Sequence, residues 1–185
     1  MQKLLHLTIL ILITSSMNAQ NQDPWVEYMT PSSIHELLNQ YSGSFNMEIT
    51  MTMGDGNAPS VFTVNSEHSM LLGGRFLEMK QQGSLMGMDY QSILTLGFNN
   101  TDKIMSLITI TNMGTGTLSL FGPWDEKSKS AILFGQLTNP VTKGIIHVRQ
   151  SITFIDNDSI LIESYDTEGD NPEKKTVTYK LIRNN

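Results

Sequence analysis

The chain is 185 residues long, enough for one domain with a real core, and carries 12 Lys+Arg against 18 Asp+Glu for a net charge of -6. Those charges are dispersed, with no basic cluster to neutralise a phosphate backbone, so nucleic acid is excluded as a partner. The absence of cysteine excludes disulfides, thiolate nucleophiles, iron–sulfur clusters, cysteine zinc sites and a lipobox-type lipid anchor.

The first 19 residues read as a secretory signal peptide: Lys3 is the positive n-region, residues 4–13 the apolar h-region and Met17-Asn18-Ala19 the small-residue cleavage site. The apolar run is too short to span a bilayer, so the mature protein is expected to be exported to the periplasm or secreted, without a membrane span. Residues 20–30 form a polar, flexible segment in which Trp25, Val26 and Met29 can pack on a neighbouring surface. Residues 31–185 make up the domain proper. A helix opens it, with Thr30 as cap and Pro31 at the first helical position. Ile34, Leu37, Leu38 and Tyr41 fall on one stripe, and Gly43 ends the helix. A lone amphipathic helix ahead of many strands is expected to pack against, or plug, one end of a sheet.

From Ser44 the period becomes two. Phe45, Met47, Ile49, Met51 and Met53 alternate with polar residues, as in a strand with one buried face. Gly54-Asp55-Gly56 turns the chain. Residues 60–70 and 71–81 are two strands, or one long strand bent at Gly73-Gly74. Residues 90–98, 104–111, 115–121, 131–138, 144–155, 159–166 and 176–183 complete the series, with Pro123-Trp124-Asp125 and Asn139-Pro140 read as turns. Nine to ten antiparallel strands without crossover helices predict an all-β fold. Closure into a single barrel removes the edges, and a β-sandwich is the alternative. The twelve methionines suit adaptable core filling, or a binding surface that accepts varied shapes.

Catalytic signatures are weak. Gly83-Ser84-Leu85-Met86-Gly87 places its serine one position too early for a nucleophile elbow, and His35, His68 and His147 lack metal-ligand spacing, so neither a metal nor a cofactor is assigned. By strand parity Arg75 shares a face with Leu77 and Met79. An arginine among apolar neighbours needs an anionic partner, either an internal carboxylate or a ligand head group. In the hairpin around Asp156-Asn157-Asp158, Phe154 is expected opposite Ile160 and Ile152 opposite Ile162. Arg149 then faces Tyr165 diagonally from Glu163, and the pattern predicts an Arg149–Glu163 ion pair on the solvent or lumenal side.

Leu72-Gly73-Gly74-Arg75-Phe76-Leu77, Gly83-x-x-Met86-Gly87-x-x-Tyr90, Asn112-Met113-Gly114-Thr115-Gly116, Arg149 and Glu163-x-Tyr165 resemble domain-of-unknown-function family 1579, in order over about residues 31–182. Departures are Thr109 and Thr111, where the family commonly has Trp-x-Asp, and Phe45 in place of the tryptophan in its opening Gly-x-Trp. The resemblance implies a lipocalin-like barrel and no particular activity. Related barrels of the nitrobindin type bind haem through one histidine. His147 is the position on offer, and a half-exposed strand histidine accounts for it better. Arg75, Met86, Tyr90, Asn112, Arg149, Glu163 and Tyr165 are the candidate ligand-binding residues. The leading expectation is an exported barrel that binds a small, largely apolar or amphiphilic molecule. The alternatives are an enzyme with its site at the barrel mouth, using Arg149, Glu163 and Tyr165, and a filled-barrel interaction protein. Intact-mass measurement of protein recovered from the cell envelope or medium should give a chain beginning at Gln20 or within a few residues of it; full-length chain in the cytoplasm would refute export.

Overall fold

A computed structural model describes residues 23–52 and 57–184. The expected signal peptide, Met53 and the expected turn at Gly54-Asp55-Gly56 lie outside the described residues. Two helices, α1 (Pro24–Met29) and α2 (Ser33–Gln40), precede ten strands: β1 (Gly43–Met51), β2 (Ser60–Leu71), β3 (Phe76–Leu85), β4 (Met88–Asn99), β5 (Ile104–Thr111), β6 (Leu118–Asp125), β7 (Ser130–Thr138), β8 (Ile145–Asp156), β9 (Ser159–Glu168) and β10 (Lys174–Arg183). Each strand pairs antiparallel with its neighbours in sequence, and β10 closes on β1, giving an up-and-down barrel with no free edge.

Alternation sets the lumen. Phe45, Met47 and Ile49 of β1, Val64 of β2, Leu77 and Met79 of β3, Leu96 of β4 and Leu107 of β5 point inward. They meet Leu120 of β6, Leu133 of β7, Ile152 of β8, Ile160 and Ile162 of β9 and Leu181 of β10 in one continuous core. The register confirms the β8–β9 hairpin: Phe154 pairs with Ile160, Ile152 with Ile162 and Arg149 with Tyr165.

Helix α2 stoppers the barrel end formed by the start of β1 and the β8–β9 turn. Ile34, Leu38 and Tyr41 are buried there, each contributing about 1.5–3 kcal/mol. The helix starts two residues later than its sequence suggests. Its cap is Ser32, and His35 Nδ1 accepts the Ser32 backbone N–H at 3.0 Å, the part usually played by glutamate at this position. Residues 24–29, expected to be flexible, form the short helix α1, which buries none of its side chains. Backbone contacts hold it: the Asn100 side-chain amide donates to the Glu27 and Thr30 carbonyls at 2.9 and 2.7 Å.

At Gly73-Gly74 the two-strand alternative holds and the bend within one strand does not: the chain makes a full reversal between β2 and β3, with Leu72, Gly73 and Gly74 all at positive φ. One other local reading changes. Pro123-Trp124-Asp125 belongs to β6. Proline has no N–H to give a ladder, and the β6–β7 pairing is interrupted between Phe121 and Trp124.

The same two strands approach more closely than a side chain allows. A Cβ on Gly122 would lie 1.9 Å from the Ile132 carbonyl oxygen, and one on Gly135 would lie 2.3 Å from that of Ser119. Both obstacles are backbone, so relief requires moving a strand. Gly122→Ala should therefore destabilise the fold by about 3 kcal/mol or more in a denaturant melt. Gly114→Ala, with nothing within 4 Å, should stay within about 0.5 kcal/mol of the parent. Equal midpoints for the two variants would contradict this packing.

Candidate functional site

The inward face is not wholly apolar. Below the plug, strand alternation places Ser66 and His68 of β2, Gln81 of β3 and Ser92 of β4 next to one another, all buried. They form one hydrogen-bonded chain. His68 Nδ1 lies 2.9 Å from the Tyr41 carbonyl, and its Nε2 lies 2.8 Å from Ser66 Oγ. Gln81 Nε2 donates to Ser66 Oγ at 2.9 Å, and Ser92 Oγ donates to Gln81 Oε1 at 2.7 Å. A carbonyl only accepts, so Nδ1 carries the proton and the neutral ring offers Nε2 as an acceptor to the Ser66 hydroxyl. The imidazole stacks on Phe45, with centroids 4.2 Å apart and planes 8° from parallel. Arg183 covers that ring, its guanidinium carbon 4.6 Å from the centroid.

Beyond Ser92, toward the end opposite α2, Tyr90 of β4 is buried within hydrogen-bonding reach of Ser92. Tyr179 of β10 and Asp166 of β9 enter from the opposite wall, and both Tyr90 and Asp166 are close enough to act electrostatically on Tyr179. Burial raises both tyrosine hydroxyls above their ordinary range. It also raises the Asp166 carboxyl, against a hydrogen bond from Thr176 that lowers it. Gln150 and Ser164, buried and 3.2 Å apart, add a second polar pair on the β8–β9 wall.

The candidates from sequence are not brought together. Of the seven, Tyr90 alone lines the lumen. Arg75 leaves the inward face because it still belongs to the β2–β3 turn, one residue before β3 begins. Its guanidinium donates to the Leu72, Gly73 and Met29 carbonyls at 3.0, 3.3 and 2.5 Å, so carbonyl oxygens stand where an anionic partner was expected. Met86 is exposed in the two-residue β3–β4 turn at φ 54°. Asn112 ties β5 to β4, accepting from the Gln91 N–H at 2.9 Å and donating to the Asp89 carbonyl at 3.0 Å.

Arg149, Glu163 and Tyr165 share the outer face, but the Arg149–Glu163 ion pair does not form. Arg149 makes a two-pronged bond to Glu173 at 2.8 and 2.6 Å, and Glu163 pairs with Lys175. Tyr165 lies beneath the Arg149 guanidinium, 3.9 Å from ring centroid to carbon. His147 is exposed on the same outer side of β8. The residues named for a barrel-mouth active site therefore stand outside the barrel. Two outer concavities occur among the described residues. One, of about 620 Å³, lies over β2–β5 between Glu67, Lys80, Gln82 and Ile110. The other, of about 420 Å³, lies beside α1 between Tyr28, Arg75, Phe98 and Phe121.

The chain belongs to the family described as protein of unknown function (DUF1579), which it matches over residues 30–183. No curated protein matches it. Among solved structures it is similar to Rv2717c from M. tuberculosis, with 14% identity and a TM-score of 0.59 over 84% of this chain and 100% of that one. It is also similar to the S-type phycobiliprotein lyase CPES from Guillardia theta, with 10% identity and a TM-score of 0.52 over 89% of this chain and 98% of that one. At these identities the likeness is one of fold.

His68 gives the fold a pH signature. Burial, first, and the Arg183 charge push its pKa down from 6.5 to about 4, against the raising effects of the Tyr41 carbonyl and Glu67. The unfolded chain thus takes up this proton at a higher pH than the folded one. The stability that depends on the neutral ring is complete above about pH 6.5 and is lost as pH falls toward about 4, roughly 3 kcal/mol in all. Denaturant melts at pH 7, 5.5 and 4.5 should show this decline, and His68→Gln, although weaker at pH 7, should show a shallower one. Parallel declines would remove His68 as the cause.

Proposed function

We propose that this protein is an exported barrel that holds a small, largely apolar molecule in the open half of its lumen. One contrast supports the reading. Near α2, the side chains of Phe45, Leu77, Leu96, Met105, Leu107, Leu120 and Leu181 have no exposure at all, so not even a water-sized void touches them. Toward the other end, Met51, Phe62, Leu118, Ile146, Val177 and Tyr179 pack on the same core yet remain partly accessible. Met70, Phe98 and Trp124 are partly covered at the plugged end too, but α2 lies over that end, whereas no helix among the described residues lies over the other, which reads as an incompletely covered apolar cup with a few polar groups set into it. That is the composition of a small-molecule site. The barrel likeness to a phycobiliprotein lyase is compatible with binding in the lumen.

Native mass spectrometry of protein purified from its own host is the test. The expected spectrum contains a complex that releases one small, apolar molecule on activation, and Leu118→Trp, which fills the cup, should abolish it while the melting midpoint holds. Ligand-free protein from the host, together with no uptake of apolar probes by the purified chain, would overturn the reading.

A further inference from the structure

The cup is lined asymmetrically, and the hydrogen-bonded chain beneath it says which chemistry it accepts. Direction is imposed from the plug. The Tyr41 carbonyl requires His68 Nδ1–H, and the His68 Nε2 lone pair requires the Ser66 proton. Ser66 oxygen then accepts from the Gln81 amide, and Gln81 oxygen takes the Ser92 proton. Ser92 has no second proton, so toward Tyr90 it can only accept, and the Tyr90 hydroxyl must donate to it. The end of the chain that faces the cup is therefore the Tyr90 oxygen with its lone pairs. The Asp166 carboxyl, raised from the opposite wall and partly buried, is a second acceptor. No arginine or lysine stands among the inward residues between these two groups. Lys174, opposite Asp166 in register, is exposed at the rim, and Arg183 is at the plugged end.

We infer that the cup selects ligands whose polar head donates hydrogen bonds, an alkylammonium-type amine above all, and rejects carboxylates. This inference rests on the lumenal reading given above. An amine head meets Asp166 and the Tyr90 oxygen while its chain lies along Met51, Leu118, Ile146 and Val177. A carboxylate meets the like charge of Asp166, no buried cation and, as donor, the neutral Tyr179 hydroxyl, so most of its hydration would be lost without replacement.

Three ten-carbon probes that differ only in the head group test this by calorimetric titration of the purified protein: decylamine, decan-1-ol and decanoate, each kept monomeric. The expected order is decylamine tightest, decanol weaker and decanoate weakest, with decylamine ahead of decanoate by about tenfold or more, the scale of one charge-assisted hydrogen bond. In Asp166→Asn the advantage of amine over alcohol should vanish while decanol affinity changes by less than about threefold. Decanoate binding as tightly as decylamine, for instance through Lys174 at the rim, overturns the inference and leaves the lumenal site standing. An amine preference that survives Asp166→Asn also overturns it. Failure of all three probes to bind refutes the lumenal site itself. The ranking on the parent protein decides the matter even if the variant does not fold.

Discussion

The carbonyl groups of Gln40, Tyr41 and Ser42, left without helix partners where α2 ends, fasten the plug to the barrel. Every helix has such orphan acceptors, and a buried one left unsatisfied costs about 1–3 kcal/mol. Here Arg183 takes two of them, donating to Gln40 and Ser42 at 2.6 and 2.8 Å, and His68 takes the third. The same guanidinium reaches the Asn157 carbonyl and the Asp158 carboxylate at 3.1 and 2.8 Å, so the last strand, the β8–β9 turn and the helix end share one cation. Phe45 lies between Arg183 and His68, so removal of the arginine would uncover the ring that supports the histidine. A chain without cysteine thus seals one barrel end by apolar burial, hydrogen bonding and stacking.

That fastening has a consequence at a distance. Because the Tyr41 carbonyl can only accept, it fixes the tautomer of His68. Each hydroxyl and amide above then has one orientation left if every buried atom is to be satisfied. The order is transmitted through β2, β3 and β4 as far as Tyr90, with no movement required. A helix whose role looks purely structural therefore sets the orientation of the Tyr90 hydroxyl at the far end of that chain. The depressed pKa of His68 belongs to the same arrangement: a proton on Nε2 would turn an acceptor into a donor and leave the Ser66 hydroxyl facing it without a role.

The strands were legible because alternation survives in almost every one, and the β8–β9 register followed from matching apolar faces across a short turn. Two site readings failed for reasons that alternation cannot carry. Parity put Arg75 on one face with Leu77 and Met79, but Arg75 is still in the β2–β3 turn, one residue before β3 begins, where alternation does not yet apply. The hairpin placed Arg149 beside Tyr165 correctly, but the partners of Arg149 and Glu163 come from Glu173 and Lys175, near the bulge in β10. Charges brought in by a third strand are invisible to a two-strand argument. The polar chain could have been found. Ser66 and His68 alternate with Val64, Gln81 with Met79 and Ser92 with Leu94, so each is a polar residue at an inward position. Those positions coincide on three adjacent strands.

Closure of the ring also restricts where a ligand can gain most by binding. With β10 paired to β1 there is no edge for a peptide to extend, so main-chain recognition is unavailable to this wall. The concavity over β2–β5 encloses about 620 Å³, but Glu67, Lys80, Gln82 and Gln91 on its walls are polar, and covering them returns little for the desolvation it requires. The cup is the opposite case. Its apolar side chains already pack on the core along one flank, and covering the rest gains about 25 cal/mol for each Å² removed from water. Its few polar atoms have their orientation set before any ligand arrives, so little ordering remains to be done on binding. The plug makes this possible: with one end of the barrel filled and locked, the other can stay partly uncovered without loss of the fold.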